Sequence, residues 1–241
     1  CQQRPHALVA FSATLSPGHW MQRMLGLSDE LVSRRMESPF DESQLAVTLA
    51  TDIDTRYRAR QESLATLAER IGRWLQDQTG NCIVYFPSYR YMSACLEQPE
   101  LKEALARREV WQQQPGLAED ARDALLEQFA RQRNVAAFCI LGGVFGEGID
   151  LPGETLSSVV VVGVGLPQLG RQREQLRDWY QQRYGAGFEY AYLYPGMQNV
   201  DQALGRVVRT ADDTGSALLV DVRYGWAQYR ELLPRWWRYG D

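Results

Sequence analysis

Lysine is almost absent from this sequence: Lys102 is the single one among 26 Lys and Arg residues, which leaves 25 arginines. A phosphate-binding loop of the Gly-x-x-x-x-Gly-Lys-Ser/Thr type needs a lysine behind a glycine. Lys102 follows Leu101, so the chain contains no such loop. Histidine and cysteine are also scarce, with two His and four Cys. The cysteines, Cys1, Cys82, Cys95 and Cys139, form no CxxC pair. No metal site is therefore expected inside the chain, zinc and iron–sulfur included. Buried reduced thiols, as in a cytosolic protein, fit better. No run of about 18 apolar residues exists, so no membrane span is expected. The start, residues 1–5, lacks the apolar segment of a secretory signal and a first Met. The chain is accordingly expected to begin inside a longer protein. Asp41-Glu42 looks like an acidic pair for Mg²⁺, but it follows Ser38-Pro39-Phe40 instead of ending an apolar strand. It reads as a loop.

What is present is an ordinary globular composition. Of 241 residues, 45% are hydrophobic and 23% charged, which suits one large domain or two small ones. The net charge of −4 argues weakly against nucleic acid. It does not exclude a local basic groove. Apolar runs at 6–11, 45–50, 81–86, 109–111, 135–141, 156–163 and 216–222 read as strands. The stretch 190–194 reads as strand or extended. Helical patterns fall at 18–25, 57–78, 96–108 with a break at Pro99, 117–131 and 170–184. Gly80 is expected to cap the helix that ends near 78. The aromatic tail, 229–237, reads as a packed helix or a docking surface. Strands alternating with helices predict a doubly wound, mainly parallel sheet. Repeats and low-complexity runs are lacking.

Several stretches carry chemistry as well as structure. In 202–209, Gln202, Arg206 and Arg209 stand at i, i+4 and i+7, which share one helix face, and Gly205 leaves the backbone beside it open. Two guanidinium forks and an amide on one face suit a polyphosphate. The same spacing suits a solvated amphipathic helix. Residues 12–17, with Ser12 and Thr14, follow an apolar run, where open α/β sheets bind ligands, or else form a plain turn. Ser88, Tyr89 and Arg90 follow the strand at 81–86. They could hold a nucleic-acid backbone and stack a base, or simply cap and pack the next helix. The glycine-rich stretch 142–154 lacks both GxGxxG spacing and the lysine of a P-loop.

Together these stretches resemble one family. Residues 12–17 are similar to helicase motif III and residues 85–89 to motif IV. Residues 145–153 are similar to motif V and residues 202–209, QxxGRxxR, to motif VI. Their order and spacing resemble the second motor domain of the XPD/DinG-like superfamily 2 DNA helicases over nearly the whole chain.

The resemblance implies a RecA-like three-layer α/β sandwich. Residues 1–17 would close a first motor domain and residues 18–241 would form the second. ATP with Mg²⁺ would be bound mainly by the first domain of the same polypeptide, which this chain lacks. Arg206 and Arg209 would act as arginine fingers on the γ-phosphate, and Gln202 would sense it or position the attacking water. Glu147, Gly148, Asp150 and Gly205 would lie on the nucleotide side. Ser88, Tyr89, Arg90 and Phe145 would lie along single-stranded DNA, and Ser12 and Thr14 would couple the domains. The implied activity is ATP-driven 5′-to-3′ unwinding in repair or replication, by a monomer in a bacterial cytoplasm, at the nucleoid. An iron–sulfur cluster would belong to the parent's first domain and not to this chain. A non-catalytic RecA-like binding module and an RNA helicase domain remain the alternatives.

Overall fold

The computed structural model describes residues 9–12, 16–28, 30–116, 119–143 and 155–240, without the side chains of 119–122 and 240. Seven strands form one all-parallel sheet. They are β1 (Leu45–Ala50), β2 (Cys82–Phe86), β3 (Glu109–Gln112), β4 (Val135–Ile140), β5 (Ser158–Val162), β6 (Gly215–Val220) and β7 (Arg238–Gly240). Their order is β3-β4-β2-β5-β6-β1-β7, with β5 at the centre and β3 and β7 at the edges. The helices are α1 (Gly18–Met24), α2 (Arg60–Asp77), α3 (Tyr89–Leu96), α4 (Pro99–Leu105), α5 (Glu119–Arg131), α6 (Arg171–Tyr184), α7 (Tyr194–Leu204) and α8 (Ala227–Arg230).

Strands β2 and β4 are apolar at every position because both faces of the sheet are covered. Along β2 the side chains alternate between two cores. Cys82, Val84 and Phe86 pack with Leu67, Ile71, Met92 and Leu101 of α2–α4. Ile83 and Tyr85 pack with Phe129 of α5 and Met197, Val200 and Leu204 of α7. Three layers result, as expected from the sequence. A third, smaller cluster joins Trp20 of α1 to Tyr180 of α6 and to Tyr190 and Tyr192.

One polar side chain locks the layers. Asn81, fully buried, precedes β2. Its Nδ2 donates to the carbonyls of Phe129 at 3.0 Å, Gln132 at 2.8 Å and Thr155 at 2.8 Å, and its Oδ1 accepts from Val135 N at 2.9 Å. It thereby closes the end of α5, whose last carbonyls lack helical partners, and pins the starts of β4 and β5.

Five expectations need correction. The stretch 6–11 reaches the described residues only at 9–11, which form no strand. Val9 and Phe11 are 80% and 89% exposed, with no sheet beside them to pair with. Gly80 does not cap α2. The helix ends at Asp77, and Arg108 closes it by donating to the carbonyls of Leu75 and Gln78 at 2.7 and 2.5 Å. The stretch 190–194 is not a strand, because a π-helical turn, Glu189–Leu193, runs straight into α7. Its alternating Tyr side chains mimic a strand, yet Tyr190, Ala191, Tyr192 and Leu193 are all buried, so no face of this segment is left to solvent. The tail is not one helix. After the short α8, Pro234 interrupts and β7 pairs with β1 at Ala46–Arg238 and Val47–Tyr239. Finally, 202–209 is not continuously helical, since α7 stops at Leu204 with Gly205 as its C-cap.

Candidate functional site

Because every strand points the same way, the sheet has one amino edge and one carboxyl edge. The sequence-derived site residues divide between them. Ser88, Tyr89 and Arg90 follow the carboxyl end of β2. Ser88 is the N-cap of α3, its Oγ accepting from Tyr91 N. Tyr89 is half-buried, and its hydroxyl accepts from Gln113 Nε2 at 3.0 Å. Gln113 is itself buried and accepts from Ile140 N at 2.8 Å, which ties this loop to the end of β4. Arg90 is exposed. Ser88 thus caps the helix, and Arg90 presents its side chain at the surface of the first turn of α3.

Gln202, Gly205, Arg206 and Arg209 lie at the opposite edge. Gln202 is in the last turn of α7, half-buried, and Arg206 and Arg209 follow in the turn leading to β6. The shared helical face is therefore replaced by a helix end and a shaped turn. Two devices hold that turn. The Asp213 carboxylate accepts from Arg209 N and Thr210 N, both at 2.8 Å. Burial works against its ionisation, but these bonds hold its carboxyl below the usual carboxylate range. Gln44, buried just before β1, donates from Nε2 to the carbonyls of Thr210, Ala211 and Asp213 at 3.1, 3.0 and 2.9 Å. Arg206 and Arg209 are both half-buried, and the Nε of Arg206 is sealed from solvent. The Arg206 charge is also felt by the Tyr85 phenol on β2, where it opposes the strong upward push of burial.

Neighbouring Asp201 on α7 is half-buried overall, but its Oδ1 is sealed from solvent with no hydrogen-bond partner. Burial raises its pKa to about 8, opposed by the charge of Arg35.

The remaining expectations fall partly outside the described residues. Phe145, Glu147, Gly148 and Asp150 lie there, and so does Thr14. Ser12 is described and exposed. Among the described residues no group of three or more His, Cys, Asp or Glu could hold a metal, and no helix is long and apolar enough to cross a membrane. Sequence reasoning passed over Gln44, Asn81 and Gln113, polar residues whose partners are distant in the chain. It also passed over the run Arg56-Tyr57-Arg58-Ala59-Arg60 at the carboxyl edge. Its alternation of arginine with an aromatic was a readable signal.

Comparison with known proteins places this architecture. The helicase C-terminal domain family model matches residues 71–240. The chain is 29% identical over 209 residues to regulator of telomere elongation helicase 1 of Mus musculus, covering 80% of this chain and 17% of that protein. It is 25% identical to the helicase subunit XPD of general transcription and DNA repair factor IIH of Schizosaccharomyces pombe, covering 97% and 32%. With the ATP-dependent DNA helicase YoaA of Escherichia coli the identity is 28%, covering 92% and 34%. The chain thus spans about a third or less of these three relatives. A solved XPD helicase structure superposes with a TM-score of 0.71 at 19% identity, over 92% of this chain and 40% of that one. That likeness carries the fold, which is the RecA-like helicase domain. The chain belongs to the helicase C-terminal domain family, in its XPD/DinG-like superfamily 2 branch.

Proposed function

We propose that this chain is the second motor domain of an ATP-dependent DNA helicase that unwinds 5′ to 3′, with residues 1–17 closing the first motor domain. The observation that carries the reading is the division of the candidate residues between two edges. A turn bearing Arg206 and Arg209 is held rigid at the amino edge, and Ser88–Arg90, the start of α3, stands at the carboxyl edge. Such an arrangement suits a domain that meets a nucleotide with one edge and a strand of DNA with the other.

The residues present fit half of an ATP site. Planar guanidinium donors match phosphate oxygens, yet the chain has no P-loop lysine to hold a triphosphate. ATP with Mg²⁺ would be held mainly by the first domain and would supply the phosphoryl group whose transfer drives the motor. Arg206 and Arg209 stabilise the negative charge that develops there, and Gln202 orients the attacking water. The Asp213 and Gln44 contacts position the two arginines without touching the nucleotide. Glu147, Gly148, Asp150 and Gly205 are assigned to the nucleotide side. Phe145 joins Ser88, Tyr89 and Arg90 along the DNA, and Ser12 and Thr14 relay between domains. Contacts to backbone and base faces, without base edges, give little sequence preference.

The test is ATP turnover by the parent polypeptide, stimulated by single-stranded DNA, with Arg206→Ala and Arg209→Ala. Loss of turnover with nucleotide binding retained is expected. Turnover unchanged in both variants would refute the arginine-finger role. Stimulation by RNA and not by DNA would move the reading to an RNA helicase.

A further inference from the structure

The carboxyl edge holds a feature that the motif assignments do not use. Beyond β1 the chain turns through Arg56-Tyr57-Arg58-Ala59 into α2, which begins at Arg60. Arginines and aromatic rings alternate there. The Arg56 guanidinium stands 5.7 Å from the Trp226 ring. Arg60 stands 5.8 Å from the Tyr57 ring and 4.7 Å from the Tyr91 ring. Tyr91 belongs to α3, one residue past Arg90, so the row ends on the same helix whose first turn carries Tyr89 and Arg90.

The outer members are open to solvent: Tyr57 is 77% exposed and Trp226 40%. Large aromatics this exposed on a folded domain mark an interaction site when they cluster. The charges bias the choice of partner. Asp54 is paired with Arg56 at 2.6 Å, and the buried Asp221 is held by Arg223 at 2.7 Å. Arg58 is exposed, and Arg60 has no carboxylate within ion-pair distance among the described residues. Arg60 is fixed instead by donating from Nε to Thr55 O at 3.0 Å, and burial lowers its pKa, an effect that Tyr91, Tyr57 and Asp221 offset only in part. A surface with cations in excess, interleaved with exposed ring faces, fits a polyanion that also offers flat apolar groups. Single-stranded nucleic acid is that partner. A duplex hides its bases, and an acidic peptide offers no stack of planar groups.

We infer that Tyr57 and Trp226 are base-stacking platforms, and Arg58 and Arg60 their backbone-facing partners, on a single-stranded nucleic-acid surface that extends from the Ser88–Arg90 segment toward β6 and β1. The inference rests on the nucleic-acid part of the proposed function.

The test is fluorescence anisotropy of a labelled oligo-dT of about 20 nucleotides, long enough for one such site, titrated with this chain at low ionic strength. The paired substitution Tyr57→Ala/Trp226→Ala is expected to weaken binding at least about tenfold, since stacking on an aromatic is worth roughly 1–3 kcal/mol per base. Tyr57→Phe/Trp226→Phe keeps both ring faces and is expected to bind within about twofold of the parent sequence, on the same stacking argument. Trp226 also rests on Tyr229 at 6.0 Å, so circular dichroism checks the fold. Tyr57→Ala alone, at an exposed ring, still gives a several-fold loss if the pair fails to fold. Binding weakened by Arg90→Ala but untouched by the Tyr57 and Trp226 changes would overturn this inference and leave the proposed function standing. No binding by the unsubstituted chain at low salt would overturn both.

Discussion

Gly165 and Gly196 approach so closely that a Cβ on Gly165 would stand 2.4 Å from the Gly196 carbonyl oxygen. The reverse is also true, since a Cβ on Gly196 would meet Val164 O at 2.8 Å. This contact seats the first turn of α7 against the exit of β5. It fixes the helix whose last turn carries Gln202. Gly165 also has φ +64°, a region that costs a side chain roughly 1–2 kcal/mol before any clash.

Gly165→Ala should therefore destabilise the fold by roughly 2–4 kcal/mol, strain and overpacking together. Urea unfolding of the two proteins measures it. A loss below about 0.5 kcal/mol, the range of ordinary surface changes, would mean that the helix yields instead of pressing on the strand exit.

Asn81→Leu should cost more. It keeps the approximate volume but strands the Thr155 carbonyl and the Val135 N–H, at about 1–3 kcal/mol for each buried group left unpaired, and leaves the Phe129 and Gln132 carbonyls with Arg133 Nη1 as their remaining side-chain donor. Solvent reaching α5 offsets part of this, so a net loss of about 3–5 kcal/mol is expected. Hydrogen exchange should show the end of α5 and the start of β5 opening first.

Asp201 gives the domain a pH dependence. Its carboxyl is raised from 3.8 to about 8 in the folded chain, so between these values the folded state holds a proton that the unfolded state has lost. Stability on this account falls as pH rises from about 4 to about 8 and then levels off. Asp201→Asn should remove that slope and stabilise the domain by roughly 1–3 kcal/mol at neutral pH or above. Thermal unfolding between pH 5 and 9 reads the difference. A variant no more stable at pH 8 than the parent sequence would place the charge in a wetter site.

The isolated chain should not turn over ATP, because it lacks a phosphate-binding lysine. In the parent polypeptide, Arg209→Ala should lower turnover by about 10³–10⁵-fold, the range for arginine fingers. Asp213→Ala removes the bonds that shape the turn at Arg209 N and Thr210 N, leaves both arginines in place, and should cause a smaller loss. Turnover by the isolated chain that vanishes with Arg209→Ala would contradict half-site catalysis.

Nucleic-acid binding by the chain should be weak and salt-sensitive, with affinity falling as a power of ionic strength set by the number of phosphate contacts. A titration repeated at several salt concentrations gives the slope. Tight binding indifferent to salt would rule out backbone contacts as its main source.

Much of the fold was legible in the sequence where local pattern sufficed. The all-apolar run of β2 and the Leu64–Leu67–Ile71–Leu75 stripe of α2 each announce their period and their burial. Pattern failed where burial was complete or a partner was remote. Tyr190, Tyr192 and Tyr194 alternate like a strand, yet the aromatic cluster with Trp20 and Tyr180 makes a helix of them. The tail kept β7 hidden because a three-residue edge strand is defined by β1, not by its own composition. For the candidate site, the identities of Gln202, Arg206 and Arg209 were readable, but the end of α7 at Leu204 was not.

By itself the sequence determined the alternation of strands and helices, the lack of a P-loop lysine and the order of the family's motifs. These depend on residue identity and short-range spacing. Tertiary structure alone decided that the arginine turn and the Ser88–Arg90 helix start occupy opposite edges of one parallel sheet. It also aligned Tyr91, Arg60, Tyr57, Arg56 and Trp226 in one row. Strand order and the closing of distant loops set those relations, through contacts between residues far apart in the chain, such as Arg56 and Trp226 or Ala46 and Arg238, which no local pattern encodes.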